Sequence, residues 1–382
     1  MTTRMTGVGL FAGIGGVEEG LRRSGASDAV LLVDNWTPSQ QVLADRFPHA
    51  DLQGDVAVLK SSPKVDVMTA GFPCTDLSQA GRTAGIGGKA SGLVTHVFRL
   101  LESAQPTWLV FENVRNMLVL DGGKAMRYLV DSLEERGYRW AYRLVDSRSV
   151  GVAQRRQRVI MVASQTENPA DVLLVDDAGE PGPDFYKGSS YGFYWTEGLR
   201  GLGWAHDAVP TLKGGSTVGI PSPPAIWVPD GPEGHKLVMP RIEEAEELQG
   251  FARGWTQAAD LGRTNGPRWK LVGNAVTVGI SEWLGRRLVS PSDHDAMDGV
   301  RVPGGKWPLA AWGGNGEVFE SPVSMWPEQA PYKHLLETVD VSEGKPLSHR
   351  AAAGFKSRME RSTLRFDPQF RADVSEHVAA TA

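Results

Sequence analysis

The chain contains a single cysteine, Cys74, within the segment Gly71-Phe72-Pro73-Cys74. A lone cysteine cannot form a disulfide within its own chain, so it is either an inert buried residue or a reactive thiol. Lys64–Ala70 is a short apolar run that predicts a buried strand, and Gly71 and Pro73 end that strand abruptly. This setting would present the thiol at a sheet edge, where it can act as a nucleophile, but the inert alternative stays open.

A second group of residues has the types that a nucleoside pocket requires. Leu10–Gly20 predicts a strand, a glycine-rich turn and a helix whose first N–H groups face the turn. A dinucleotide-binding turn has the same pattern, so the turn alone does not identify its ligand. Asp34, Trp36 and Asp55 follow near the ends of the next segments. Each carboxylate alone is more often a turn or cap, but together they predict a pocket at the carboxyl ends of a sheet.

Two further segments place charged side chains beside predicted strands. Glu112 stands near the end of an apolar run, on the strand expected beside the one that leads to Cys74. Gln154–Arg158 contains three arginines and precedes the strand that begins at Val159. Each segment alone suggests a helix cap or a solvated surface.

These side chains must be positioned by strands that alternate with helices, and residues 1–165 show that alternation, typical of a parallel α/β sheet. We predict strands at Val8–Phe11, Ala29–Val33, Val65–Thr69, Trp108–Phe111, Arg139–Val145 and Arg158–Ala163. We predict helices at Val17–Ser24, Ser39–Arg46, Val94–Ala104, Lys124–Arg136, Arg241–Gly250, Asn274–Leu288 and His349–Ser362.

Composition bounds the class of protein. A length of 382 residues predicts two or three domains. The formal charge is −5, yet Arg139–Arg158 holds six arginines and one acidic residue, so local binding to an anionic partner is compatible with the acidic total. We find neither an apolar run that spans a bilayer nor a signal peptide, and with one cysteine these features predict a cytoplasmic protein.

Changes in amino-acid composition along the chain predict the domain boundaries. Residues 1–164 form the first part of an α/β domain. Residues 165–240 are rich in proline and glycine and form a smaller, irregular, β-rich domain. Residues 241–288 return to the first domain, and residues 289–382 form a C-terminal extension of unknown role.

In its ordered motifs the chain resembles the DNA cytosine-5 methyltransferases of prokaryotic or phage type. The motifs are FAGIGG at 11–16, GDV at 54–56, GFPC at 71–74, FENV at 111–114, GVAQRRQRV at 151–159, RIEEAEELQGF at 241–251 and VGNAV at 272–276. The resemblance implies an α/β fold of the Rossmann-like, S-adenosylmethionine-dependent methyltransferase class. That fold has a mixed sheet with helices on both faces, and a small β-rich target-recognition domain across a cleft.

The resemblance also implies the chemistry. Cys74 would add to carbon 6 of a cytosine, Glu112 would hold N3 and the exocyclic amine, and Arg158, together with Arg156, would hold the O2 carbonyl. Water would remove the carbon 5 proton. The cofactor would be S-adenosylmethionine, and no metal is expected. The implied cofactor-binding residues are Phe11, Ala12, Gly13, Ile14, Gly15, Gly16, Asp34, Asn35, Trp36, Asp55, Val56, Gly71, Pro73, Asn274, Ala275 and Val276. One departure concerns Asn35, because the family usually has an acidic residue directly before this aromatic; either Asp34 or Asn35 would then contact the ribose.

Double-stranded DNA is the implied substrate, with the target base flipped out of the helix. The implied DNA-contacting residues are Phe72, Pro73, Ser78, Arg82, Lys89, Asn113, Gln154 and Thr211. Thr75–Gly92 resembles the family's loop that closes over the flipped base. Arg200, Lys213 and Lys236 are candidate contacts in the recognition domain, and the basic helix at the C-terminus is either a DNA contact or a solvated surface.

Further expectations concern partners and rival functions. We expect a monomer that does not bind a membrane, with a restriction endonuclease of the same specificity as a possible partner. The alternatives are an RNA or tRNA methyltransferase, a catalytically silent DNA-binding regulator, and transfer of a modified one-carbon group.

Overall fold

The structure is a computed structural model that describes residues 4–72, 92–214, 223–260, 262, 266–295, 299–302 and 306–382. The chain divides into two compact units. The first unit consists of Met1–Val150, Gln157–Glu180 and Val276–Ala330, and the second of Gly151–Arg156, Pro181–Ala275 and Pro331–Ala382.

The strands, in chain order, are β1 Met5–Leu10, β2 Ser27–Val33, β3 Asp51–Gln53, β4 Val67–Ala70, β5 Trp108–Val114, β6 Arg139–Asp146, β7 Gln154–Arg155, β8 Gln157–Ser164, β9 Tyr191–Phe193, β10 Ala205–His206, β11 Val209–Pro210, β12 Ala225–Trp227, β13 Leu237–Met239, β14 Val300–Arg301, β15 Ala310–Gly314, β16 Glu317–Glu320 and β17 Lys345–Pro346. The helices are α1 Gly16–Arg23, α2 Thr37–Arg46, α3 Gly92–Ala104, α4 Lys124–Glu134, α5 Ala170–Leu173, α6 Ile242–Leu248, α7 Arg268–Asn274, α8 Val278–Val289, α9 Leu335–Thr338, α10 His349–Glu360 and α11 Pro368–Ala380.

The first unit is built on one mixed sheet. Among the described residues, ten strands form it in the order β14-β16-β15-β6-β8-β5-β4-β1-β2-β3. The strands β1 to β5 pair in parallel with one another, which requires crossover connections between them. The expectation of a parallel sheet over residues 1–165 is wrong for β6 and β8, because β8 pairs antiparallel with both β5 and β6.

Alternating residues of this sheet fill two separate cores. Leu109 and Phe111 of β5 join one cluster with apolar residues of α3 and α4. Trp108 and Val110 of the same strand join the other cluster, with residues of α1 and α8. Helices therefore cover both faces of the sheet, which confirms the predicted fold class.

The second unit is irregular and rich in short strands. Its larger sheet has, within the described ranges, five strands in the order β10-β9-β12-β13-β17. A second, short pairing joins β7 and β11 in parallel. Phe355 of α10 and Phe370 of α11 pack with Phe193 and Trp227 of the sheet in one apolar cluster.

The boundaries between the two units fall at other residues than the boundaries between the predicted domains. The C-terminal extension is split: β14, β15 and β16 extend the large sheet of the first unit, while residues 331–382 supply β17 and the helices α9, α10 and α11 to the second. Residues 241–275 also belong to the second unit. Strand pairing and apolar packing between distant segments decide this division, and neither leaves a compositional trace in the sequence. The predicted helix Asn274–Leu288 is wrong at its start, because Asn274 ends α7 and α8 begins only at Val278.

No helix in the described part of the chain is both long and apolar enough to cross a membrane.

Candidate functional site

The glycine-rich turn follows β1 and reverses the chain into α1. Gly13, with φ 60°, and Gly15, with φ 78°, adopt left-handed conformations that favour glycine. A Cβ on Gly15 would lie 2.3 Å from the ring of Phe47, whereas the space around Gly13 is open within 4 Å. The turn therefore needs glycine for its backbone path, and at Gly13 it leaves room for a ligand.

Asp34 fixes this turn to the end of β2. Its carboxylate accepts hydrogen bonds from the backbone N–H of Gly13 at 2.9 Å and from that of Trp36 at 3.0 Å. The Gln40 side chain donates to the Asp34 carbonyl at 2.8 Å. Burial raises the pKa of the Asp34 carboxyl above its ordinary value, and the backbone donors act against that rise. Asp34 thus has a structural task that the sequence did not reveal.

The remaining side chains predicted for a nucleoside lie around the same edge of the sheet. Asn35 is exposed, and Trp36, at the N-terminus of α2, is partly exposed. Asp55 follows β3, and its carboxylate accepts from the N–H of Ala57 at 2.8 Å, with the adjacent Val56 buried. An open glycine turn, an accessible indole and polar side chains at strand ends are the features that a nucleoside cofactor requires.

Glu112 and Arg158 form an ion pair in the same sheet. The distance from Glu112 Oε1 to Arg158 Nε is 2.8 Å, and the two side chains are only 13% and 10% exposed. A Cβ on Gly71 would lie 3.7 Å from Glu112 Oε2, since β4 and β5 are neighbours. The carboxyl group therefore lies beside the residue that leads toward Cys74.

Asn113 positions the backbone at this point. Its side-chain amide donates to the Phe72 carbonyl at 3.2 Å, and the residue is buried. Phe72 also packs edge-on against Phe111, with ring centroids 5.7 Å apart. These contacts fix the start of the Gly71–Cys74 segment against β5.

Several predicted site residues lie outside the described residues, which exclude 73–91. They are Pro73, Cys74, Ser78, Arg82 and Lys89, together with nearly all of the predicted loop Thr75–Gly92.

Arg156 and Gln154 are buried residues of the second unit. The guanidinium of Arg156 donates to the carbonyls of Leu212, Gly273 and Ala275 at 3.1, 3.3 and 2.6 Å. Gln154 accepts from the N–H of Leu212 at 2.9 Å and donates to the side chain of Gln249 at 3.0 Å. Both residues thus connect three segments of this unit, and the catalytic role predicted for Arg156 and the DNA contact predicted for Gln154 stay predictions.

The other predicted residues of the second unit lie on these connected segments. Thr211 donates through Oγ1 to the Arg155 carbonyl at 3.0 Å and accepts from the Tyr194 hydroxyl at 2.7 Å through its own carbonyl. Asn274 is exposed, whereas Ala275 is buried. Val276 begins the last segment of the first unit. Asn274 and Ala275 are thus in the second unit and the glycine turn is in the first.

Comparison with known proteins identifies the family. The family described as C-5 cytosine-specific DNA methylase matches residues 5–193. The type II methyltransferase M2.BsuMI of Bacillus subtilis (strain 168) is 43% identical over 369 residues, which cover 93% of each chain. The chain belongs to the C-5 cytosine-specific DNA methylases. It is therefore a DNA cytosine-5 methyltransferase, as the ordered motifs predict.

Other relatives of this methylase agree over shorter or more divergent spans. The type II methyltransferase M.BspRI of Lysinibacillus sphaericus is 26% identical and covers 71% of the methylase and 72% of its own length. The crystal structure of the S. pombe Dnmt2 methyltransferase covers 75% of the methylase and 98% of its own chain, with a TM-score of 0.55 and 15% identity. This structural similarity supports the fold.

One buried residue of the methylase was missed by the sequence analysis. Glu18 of α1 is buried, and its Oε1 accepts from the Thr69 hydroxyl of β4 at 2.8 Å. A Cβ on Gly9 would lie 2.4 Å from the same oxygen. Gly7 and Gly9 lie on the same face of β1 and leave two successive positions of that face without side chains, and this is the signal that could have predicted a large buried partner.

Proposed function

We propose that the methylase transfers a methyl group from S-adenosylmethionine to carbon 5 of a cytosine flipped out of a specific short sequence in double-stranded DNA. A transient bond between Cys74 and carbon 6 would activate the base. The observation that carries this proposal is the position of Glu112, which pairs with Arg158 and lies beside Gly71, three residues before Cys74.

The first unit has the side chains that such a cofactor needs. S-adenosylmethionine, when bound, supplies a methyl group made electrophilic by a positively charged sulfur. Phe11–Gly16 would hold its methionine part, and Trp36 would cover the adenine. Asp55 and Val56 would bind the adenine edge. The Asp34 carboxylate already accepts from two backbone N–H groups, and the exposed Asn35 is therefore the better partner for the ribose hydroxyls.

Nucleophilic addition explains why the family needs a cysteine. Carbon 5 of cytosine is a poor nucleophile. When the thiolate of Cys74 forms a bond to carbon 6, the electron pair of the carbon 5–carbon 6 double bond moves to carbon 5. Carbon 5 then attacks the methyl group, whose bond to sulfur breaks with its electron pair left on sulfur, so that S-adenosylhomocysteine is the leaving group. Loss of the carbon 5 proton to water re-forms the double bond and expels the thiolate, so the enzyme is restored.

Glu112 and Arg158 stabilise the base during this addition. Glu112 would share a proton with N3 and accept from the exocyclic amine, so that negative charge does not accumulate on the ring. Arg158 orients the carboxyl group through the 2.8 Å contact and would donate to the O2 carbonyl. Because the ion pair of Glu112 and Arg158 is already formed and nearly buried before the base binds, the two side chains need to move little when it does.

The remaining predicted residues would act on the DNA and on the pocket. Asn113 donates to the Phe72 carbonyl and would thereby position the segment that leads to Cys74, while its predicted DNA contact stays a prediction. Ser78, Arg82 and Lys89 would meet the flipped base or its phosphates. Thr211 would position the nucleotide backbone. The cofactor contacts predicted for Asn274, Ala275 and Val276 stay predictions.

The relatives named as type II methyltransferases support a biological setting. We propose that the methylase protects DNA within a type II restriction-modification system, where an endonuclease cuts the same sequence when it is unmethylated. A monomeric, cytoplasmic enzyme fits this role.

The decisive experiment uses a duplex in which the target cytosine carries fluorine at carbon 5. Fluorine cannot leave as a proton does, so the bond to carbon 6 persists after methyl transfer. The target sequence is first found by sequencing DNA from expressing cells for 5-methylcytosine. We expect one crosslinked species per enzyme, with the adduct mapped to position 74 by peptide mass spectrometry. Cys74→Ser is the control, and because the chain has no other cysteine it removes every thiol. Crosslinking at another residue would contradict the mechanism.

The same material separates the rival functions. Methyl transfer to tRNA in preference to duplex DNA would identify an RNA methyltransferase. Specific DNA binding without transfer by the wild-type protein would identify a silent regulator. Mass spectrometry of the product nucleoside reveals any group other than methyl.

A further inference from the structure

The C-terminal part of α10 lies against a loop of the second unit. The guanidinium of Arg358 donates to the carbonyls of Trp195 and Glu197 at 2.7 and 2.9 Å. The Ser362 hydroxyl donates to the Leu199 carbonyl at 3.1 Å. These bonds join segments that are distant in sequence into one surface.

Three arginines on this surface face solvent. Arg200 follows Leu199 on the loop, and Arg361 and Arg365 flank Ser362 at the end of α10; all three are exposed. No described carboxylate lies within ion-pair distance of any of them, and Arg361 donates through Nε to the Ser357 carbonyl at 3.0 Å. We refer to Arg200, Arg361 and Arg365 as the arginine cluster.

Other cations nearby are used within the protein. Lys213 pairs with Glu197 at 2.6 Å, and Lys356 pairs with Glu360 at 3.8 Å. Lys236 pairs with Asp373 at 2.8 Å. The sequence could not show which basic residues are neutralised within the protein. The structure shows that these lysines pair with carboxylates, whereas the arginine cluster is available to a partner.

Arg361 lies close enough to the partly buried Arg358 for the two positive charges to repel each other. Burial lowers the pKa of Arg358, and the nearby positive charge of Arg361 lowers it further. Arg361 also caps the C-terminus of α10, where the helix dipole favours a cation, but Arg200 and Arg365 have no such support. An anion bound beside Arg361 would relieve its repulsion with Arg358.

We propose that the arginine cluster binds the phosphate backbone of duplex DNA outside the recognised sequence. This proposal rests on the proposed function, because it takes DNA as the substrate. Exposed guanidinium groups can donate to phosphate oxygens, and the three arginines supply positive charge although the whole chain carries −5. Residues 331–382 would thereby add affinity that does not depend on sequence.

The test measures binding of a fluorescent duplex of about three helical turns, roughly 30 bp, as salt is raised. Each lost phosphate contact reduces the slope of log affinity against log salt by about 0.9. For the variant R200A/R361A/R365A we expect a slope reduced by about 2.7, so that the loss of affinity between about 50 and 200 mM salt is about 40-fold smaller than in the wild type.

Two controls isolate the cluster. Arg350→Ala removes an exposed arginine from the first turn of the same helix, about 16 Å from Arg361, and should leave the slope unchanged. R200K/R361K/R365K keeps the charges and should keep most of the slope. A wild-type slope in the triple alanine variant overturns the proposal, as does an equal change in Arg350→Ala. A change seen with duplex RNA and absent with DNA would also overturn it.

This assay does not depend on catalysis. If the wild-type protein transfers no methyl group, the proposed function fails, and the slope still decides the arginine cluster. If transfer occurs, the triple alanine variant should retain kcat and raise KM on long duplexes.

Discussion

Glu112 on β5 and Arg158 on β8 form a nearly buried ion pair between antiparallel neighbouring strands, with 2.8 Å between Oε1 and Nε. The glycine that leads toward Cys74 lies against the other carboxylate oxygen. Residues of three motifs that are far apart in the sequence thus lie close together on the neighbouring strands β4, β5 and β8. The proposed catalytic mechanism depends on this proximity.

Removal of the Glu112 carboxylate should abolish most of the activity. We expect Glu112→Gln to lower kcat by about a hundredfold or more, because the amide cannot share a proton with N3. Transfer of labelled methyl groups measures this, and S-adenosylmethionine binding should be unchanged. The exposed Glu135→Gln is the matched control. Wild-type kcat in Glu112→Gln would exclude the proposed role.

Arg158→Ala should cost about 3–5 kcal/mol of stability, because it leaves a nearly buried carboxylate unpaired.

Asp34 and Asn35 should respond in opposite ways. Asp34→Asn replaces a carboxylate that accepts from Gly13 and Trp36, and we expect a loss of about 1–2 kcal/mol in stability and a weaker cofactor complex. Asn35→Glu restores the acidic residue usual in the family and should tighten S-adenosylmethionine binding about fivefold, since bonds to charged groups are stronger. Calorimetry measures both affinities. Unchanged affinity in Asn35→Glu would assign the ribose contact elsewhere.

Glu18 should make stability depend on pH. Burial raises the pKa of this carboxyl above 4.5, and the Thr69 hydroxyl acts against that rise. Its contribution is fully present below the unfolded pKa and is lost as the pH rises through the folded pKa. Glu18→Gln should therefore match the wild type at acidic pH and become the more stable protein as the pH rises. Thermal unfolding across pH measures the difference. Glu19→Gln, which breaks ion pairs with Arg22 and Arg23, should not gain stability.

Arg156 should be essential to the second unit. Arg156→Met leaves the buried carbonyls of Leu212, Gly273 and Ala275 without this donor, and we expect a loss of about 3 kcal/mol or more. Urea unfolding followed by tryptophan fluorescence measures it. Lys213→Met removes a half-exposed cation of the same unit and should cost less than about 1 kcal/mol. Similar losses in both variants would contradict the structural role.

Asp373 should hold the C-terminal helix α11 against the strands of the second unit. Its buried carboxylate accepts from Trp227 Nε1 at 2.9 Å and pairs with Lys236 at 2.8 Å. We expect Asp373→Ala to cost about 1–3 kcal/mol, because it leaves the buried Trp227 Nε1 donor without an acceptor. Glu376, whose side chain is 72% exposed, lies 3.6 Å from the same lysine, and Glu376→Ala should cost under about 1 kcal/mol. Thermal unfolding of the two variants compares them directly, and equal midpoints would refute the assignment.

Local patterns predicted much of the fold and the site. The six strands predicted in residues 1–165 and the helix at His349 are present, because apolar periodicity and glycine turns act over a few residues. The ordered motifs were sufficient to predict the family. The antiparallel pairing of β8 and the division of residues 289–382 between two units were not predictable, since they depend on pairing between distant segments.

By itself, the sequence determined the chemistry available to this protein: one thiol, a carboxyl in FENV, a glycine turn and arginines in QRRQR. Only the tertiary structure decided which role each of several similar residues has. It pairs Arg158 with Glu112, buries Arg156 among backbone carbonyls, and assigns Asp34 to the turn while leaving Asn35 exposed. The physical reason is that a side chain's role follows from burial and from the partners that strand order brings to it, and neither is written in the local sequence.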